Sequence, residues 1–161
     1  MIERLPLFEY SFTNALFMKY FTLTELTRSA TGLKAGINNT PTPQAIANLQ
    51  VLVENTLDPL RELWGRPLRV NSGYRCPELN RLVNGSSNSS HMSGCAADIT
   101  TGSREGNKKL WSMLVSSDIP YSKIIDEQDL AWIHVSYIRG NDRREKLKAI
   151  KQNGKWRYYF V

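Results

Sequence analysis

Ser89-Ser-His-Met-Ser-Gly-Cys-Ala-Ala-Asp98 carries one of only two histidines in the chain. Asp98 follows His91 by seven residues, in an apolar run, Ala96–Ile99, that reads as a strand. Gly94 lies between them and lets the chain turn, so that both side chains can converge. The other histidine, His134, stands in a second strand-like run, Trp132-Ile-His-Val-Ser-Tyr137. Alternate residues of a strand share a face, so Trp132, His134 and Ser136 point one way and Ile133 and Val135 the other. The apolar pair faces the core, which leaves His134 fronting a polar cleft or solvent. Two histidines and one aspartate make a donor set of two nitrogens and one oxygen. Zinc accepts that set, and three protein ligands leave a fourth position open, as catalytic sites do. A carboxylate base is also needed, and Asp126, Glu127 and Asp129 lie just ahead of His134.

Outward from these motifs, the 161 residues are the length of one domain. Hydrophobic residues make up 41% and charged residues 22%, which excludes a disordered chain or a coiled coil. Two cysteines are too few for a disulfide scaffold, and no apolar run is long enough to span a bilayer. The net charge of +6 is concentrated. Between Arg139 and Arg157 there are eight basic and two acidic residues, and the 13 basic and 13 acidic residues elsewhere cancel. Such an end suits an anionic partner, wall polymer or nucleic acid, or is simply a solvated face. Residues 1–17 lack a separate basic region and a cleavage site, so they read as a loose extension rather than a signal peptide, with Met18 a second possible start.

Thr22 to Glu25 fits a capping box opening a short helix. Gly32 to Pro43 reads as a loop. Thr42 caps a long helix with Pro43 at its first position and a stripe of Ile46, Leu49, Val53, Leu57, Leu60 and Trp64. Pro59 is placed to kink it and Gly65 to end it. A strand is expected over 67–70, a helix from Pro77 to about Val83, a loop over 84–90, and a helix over 104–116 with Leu110, Met113 and Leu114 inward. Lys123–Ile125 reads as a strand, and 147–151 and 156–161 form a hairpin around Asn153-Gly154. Helices come first and strands cluster late, which predicts an α+β domain over 18–161 with a small, mainly antiparallel sheet and flanking helices.

The ordered set Ser72-Gly-Tyr-Arg75, Ser89-x-His91-x-x-Gly94-x-Ala96-x-Asp98 and Trp132-Ile-His134-Val-Ser136 resembles the M15 family of zinc peptidases, over about residues 21–137. That family includes D-Ala-D-Ala carboxypeptidases, D-Ala-D-Ala dipeptidases and phage L-alanyl-D-glutamate endolysins, and the wording here is most similar to the small phage-type branch. The resemblance implies the hedgehog/DD-peptidase fold and one Zn²⁺ per chain, held by His91, Asp98 and His134. It implies Glu127 as general base, with Asp126 and Asp129 in reserve. It implies Arg75 on the substrate carbonyl or oxyanion, and Ser89 on a substrate carboxylate. The implied activity is hydrolysis of amide bonds in peptidoglycan stem peptides, by a protein held in the cytoplasm until release, or phage-encoded, and acting on the cell wall.

Cys76 and Cys95 depart from the family pattern. Cys95 can compete for metal, fill a small buried site, or pair with Cys76. Two rival classes stand beside the enzyme. One is a non-catalytic wall-binding or virion assembly module that keeps the fold. The other is nucleic-acid binding through the basic hairpin, with Trp156, Tyr158 and Tyr159 as stacking surfaces. Hairpin packing is the commoner use of such aromatics, and nucleic acid is not the expected partner. Oligomeric state is left open, a monomer being the working expectation.

Overall fold

The computed structural model describes residues 18–161; the expected 1–17 extension lies outside them. Four helical segments lead the chain: α1 (Leu23–Thr27), α2 (Ala30–Lys34), α3 (Pro43–Leu52) and α4 (Asp58–Trp64). Thr22 Oγ1 accepts from the Glu25 amide and Thr42 Oγ1 from the Ala45 amide, as the caps require. The start of the expected 32–43 loop is instead helical. Ser29 accepts from the Gly32 amide and so opens α2. Pro59 does disturb the long helix, but the distortion lies ahead of it. A proline has no N–H for the carbonyl four residues back, and Val53–Leu57 widens into a π-helical turn whose Val53 carbonyl takes the Asp58 amide. Gly65 ends α4 with φ of 73°. The buried Asp58 carboxylate accepts from the amides of Lys19 and Tyr20, which ties the start of the described chain to α4.

The sheet follows: β1 (Arg69–Ser72), β2 (Ala96–Thr100), β3 (Lys123–Glu127), β4 (Trp132–Ser136), β5 (Glu145–Gln152) and β6 (Lys155–Phe160), with α5 (Pro77–Leu82) and α6 (Arg104–Ser116) between strands. Their order across the sheet is β1-β2-β4-β3-β5-β6. Six strands make it larger than the small sheet expected. It is mainly antiparallel, the exception being the parallel pair β3–β5. Asn153 and Gly154 both have positive φ, the turn that the Asn-Gly pair favours between β5 and β6. The α+β class stands, with no helix among the described residues long and apolar enough to cross a membrane.

One face of the sheet is the core. Ala97, Ile99, Ile124, Ile133 and Val135 pack under Leu49, Leu52, Val53, Leu57 and Leu60, and under Leu110 and Leu114 of α6. Met113, expected to point inward, is only half-buried. Asn107 is fully buried on α6 because its amide holds other elements. It bonds Thr100, the Thr101 amide and the carbonyls of Leu130 and Ala131. The other face carries Asp98, His134, Ile125, Glu127 and Leu147, and most of it is left to the site.

Gly94 closes the turn that delivers His91 to that face. Its φ is 76°, and a Cβ there would stand 2.3 Å from the Ala45 carbonyl oxygen. Gly94→Ala is therefore expected to destabilise the fold by at least about 2 kcal/mol. A thermal midpoint equal to that of the wild type would show that α3 yields to the added methyl.

Candidate metal centre

Strands β2 and β4 are hydrogen-bonded neighbours, and Asp98 lies directly opposite His134. Directly opposed residues share a face, so the carboxylate and imidazole meet: Asp98 Oδ1 is 3.0 Å from His134 Nδ1. His91 arrives from the turn before β2. Its Nδ1 lies 2.7 Å from the Gly73 carbonyl oxygen, which can only accept, so Nδ1 carries a proton and Nε2 is turned inward. Nε2 stands 3.2 Å from Asp98 Oδ1 and 3.1 Å from His134 Nδ1. Three electron-pair donors thus converge on one point, and a cation has to sit among them, either a proton on a ring nitrogen or a metal ion.

The donor set fits a metal ion; the ligand atoms of all three residues lie within 4.8 Å of one another. Ligand atoms about 2.0–2.1 Å from a tetrahedral zinc stand roughly 3.3 Å apart, and the separations here are 3.0, 3.1 and 3.2 Å. The hydrogen bond from His91 Nδ1 to a backbone carbonyl is the usual support that fixes a ligating imidazole. Electrostatics follow the geometry. Burial alone would raise the Asp98 carboxyl, but the His91 charge and the hydrogen bonds of both histidines hold it far below the usual carboxylate range. Burial lowers His134, with the His91 and Arg75 charges adding and Asp98 opposing.

The three residues line a cavity of about 630 Å³. Glu127, Arg75 and Ser89 line it too. Glu127 pairs with Trp132 across β3–β4, diagonal to His134 on the same face. Its carboxyl is pushed up to about 8, first by burial, then by the charges of Asp98 and Asp126, against the pull of Arg75. Asp126 points to the other face, where Oδ1 accepts from the Leu130 amide at 2.6 Å. Asp129 is exposed and pairs with Lys148. Neither reserve is among the residues lining the cavity. Between the two strands, Gln128, Asp129 and Leu130 all have positive φ, a rare run for non-glycine residues. Arg104 bonds the Gln128 and Asp129 carbonyls, and Asn107 bonds that of Leu130, so the turn behind Glu127 is braced from α6.

The Arg75 amide donates to the His91 carbonyl, and its side-chain Nε is buried with no hydrogen-bond partner. Burial lowers its pKa, while the charges of Asp98 and Glu127 raise it. Ser89 Oγ accepts from the His91 amide at 3.3 Å, so it also braces the histidine turn. Both cysteines are free. Cys76 caps α5, its Sγ accepting from the Leu79 amide, and Cys95 is a small buried residue outside the donor cluster. The disulfide and competing-ligand readings of Cys95 fall accordingly. Sequence reasoning missed Trp156 and Tyr158 as walls of this cavity. Their alternation with Phe160 was the available signal, since one face of a strand then carries only aromatics.

The model of the peptidase M15 family matches residues 19–136. This chain belongs to the peptidase M15 family. A comparison with curated proteins finds no significant match. The M15 match takes in every residue of the His-Asp-His cluster, Arg75, Ser89 and Glu127, and stops short of β5 and β6.

The raised Glu127 carboxyl has a sign that can be measured. A group whose acid is favoured by the fold stabilises fully below its unfolded value and loses that contribution as pH rises, here from 4.5 toward about 8. In metal-stripped protein, Glu127→Gln is expected to raise the thermal midpoint relative to wild type more at about pH 8 than at about pH 5. A difference between the two proteins that does not change with pH would place the Glu127 carboxyl in water.

Proposed function

We propose that the chain is a zinc metallopeptidase that hydrolyses amide bonds of peptidoglycan stem peptides, as a D-Ala-D-Ala carboxypeptidase or an endolysin-type endopeptidase. With that reading goes the hedgehog/DD-peptidase-like fold. The observation that carries it is the convergence of His91 Nε2, Asp98 Oδ1 and His134 Nδ1 in a cavity that also holds an isolated carboxyl and a guanidinium. His91, Asp98 and His134 are the residues that would hold zinc, one ion per chain. Zinc bound there supplies Lewis acidity, making water a better nucleophile and polarising a carbonyl. With a dication held by those three residues, Glu127 would be favoured as the carboxylate and able to take a proton.

Glu127 accepts a proton from the attacking water and returns it to the leaving amine. An amine is a poor leaving group until it is protonated, so a single carboxylate that serves both steps lowers both barriers. Arg75 holds the substrate carbonyl oxygen and stabilises the charge that develops on it as the carbonyl becomes tetrahedral. Ser89 lies at the mouth of the histidine turn, where a substrate carboxylate can be met. The Arg139–Arg157 charge, though drawn partly into internal contacts, suits an anionic wall polymer. Arg144, for example, stacks on Tyr121 and bonds the carbonyls of Ile119 and Ser117.

Elemental analysis is expected to find about one zinc per chain. His91→Ala, Asp98→Ala and His134→Ala each lower that content; a full complement of metal in His134→Ala would sink the ligand assignment. Glu127→Gln and Arg75→Ala keep the metal. Glu127→Gln loses at least about a hundredfold in kcat, and Arg75→Ala loses transition-state stabilisation of a few kcal/mol in kcat/KM. Mass spectrometry of purified peptidoglycan after digestion reads the bond: loss of a terminal D-Ala marks a carboxypeptidase, and a cut inside the stem marks an endopeptidase. Intact stem peptides after prolonged digestion with zinc-loaded protein would overturn the function.

A further inference from the structure

The hairpin β5–β6 lies beyond the family match, yet it builds one wall of the cavity. Strand pairing explains how. Glu127 on β3 lies opposite Ala149 on β5, and Ala149 lies opposite Tyr158 on β6. The three share a face, with Glu127 and Tyr158 two strands apart, about 10 Å between their backbones. Only a methyl group stands in that gap. Ala149 is fully buried because Trp156, next on the same face of β6, packs with it, Ile125 and Leu147. Tyr158 itself is 53% exposed and stands at the rim. It lines the cavity together with Glu127 and with Arg75 of the loop after β1.

We propose that Tyr158 is a further catalytic residue, whose hydroxyl donates a hydrogen bond to the substrate carbonyl oxygen alongside Arg75. The inference rests on the function proposed above. An amide offers one acceptor, its carbonyl oxygen, and that oxygen gains charge as the bond breaks. Glu127 accepts and so cannot serve it, whereas Arg75 on the loop after β1 and Tyr158 on the hairpin both line the cavity and both can donate. Burial raises the phenol pKa, and the charges of Glu127 and Asp98 add to this while Arg75 opposes. The hydroxyl therefore keeps its proton and remains a donor. A charged donor from the loop side and a neutral one from the hairpin side clamp the oxygen from opposite walls.

The test is Tyr158→Phe in the zinc-loaded full chain, assayed on the stem-peptide bond that the wild type cleaves and on the phosphinate analogue of that bond. A phosphinate places a tetrahedral, anionic centre where the carbonyl was. We expect kcat to fall at least about tenfold with KM nearly constant, and phosphinate affinity to fall by a similar factor. Metal content and thermal midpoint stay at wild-type values, which a merely structural role for the ring would not separate from activity. Tyr159→Phe, on the opposite face of β6, leaves all of these unchanged. Wild-type kcat and phosphinate affinity in Tyr158→Phe would overturn the role of Tyr158 while leaving the peptidase intact. A wild-type protein inert toward every stem-peptide bond would overturn the function, and this inference with it.

Discussion

Asp98 Oδ1 sits between His91 Nε2 and His134 Nδ1, and the rest of the molecule is arranged so that it can. A buried carboxylate is costly unless it is paired, by several kcal/mol. A cation shared with two imidazoles, a ring proton or a metal ion, meets that cost, but only if the ring nitrogens are delivered close to the carboxylate. The β2–β4 register delivers one without further device, since opposed residues on neighbouring strands face each other. The other needs a turn that closes against α3 at Gly94 and an imidazole pinned to the Gly73 carbonyl. Removing any one of the three leaves two polar groups buried and mismatched. Stability and the geometry of the donor cluster are therefore tied to the same few atoms.

The sheet separates the two demands on the chain. Its helix-covered face carries the apolar packing, and its other face carries the polar cluster, the Glu127 carboxyl and the aromatic wall. Period-two alternation makes this separation possible within single strands: Ile133 and Val135 are fully buried in the core while His134, between them, faces the cavity. The same alternation decides among three neighbouring acids. Glu127 falls on the cavity side, Asp126 on the other, and Asp129 beyond the strand in the turn. Asp126 then has a structural use, holding the Leu130 amide in a left-handed run that fixes where Glu127 leaves the strand.

Much of this was legible in the sequence where the signal is local. Thr22, Thr42, Pro43, Gly65 and Asn153-Gly154 mark element ends because caps and turns depend on a few adjacent residues. The 104–116 helix and the facing of His134 follow from periodicity, and the meeting of His91, Asp98 and His134 follows from two histidines in distinctive company. What was not legible depends on distant partners. The π-helical turn ahead of Pro59 is a response of the preceding helix to a missing donor, not a residue preference. Asn107 is polar at an inward position because the 128–131 turn, far along the chain, needs its amide. The parallel β3–β5 pairing brings Trp156 and Tyr158 to the cavity, and no local pattern specifies which sheet edge a hairpin joins.

That placement also exposes the molecule to itself. Strand β6 is an edge of the sheet, four of its six residues are aromatic, and Phe160 is 81% exposed. An exposed edge offers unpaired amides and carbonyls to any strand that approaches, including the same strand of a second copy. Lys155 and Arg157 lie on that edge, and Lys146, Lys148 and Lys151 lie on the strand behind it. Two such edges brought together repel. Like charge along an otherwise aromatic edge is the pattern by which sheet proteins disfavour edge-to-edge pairing.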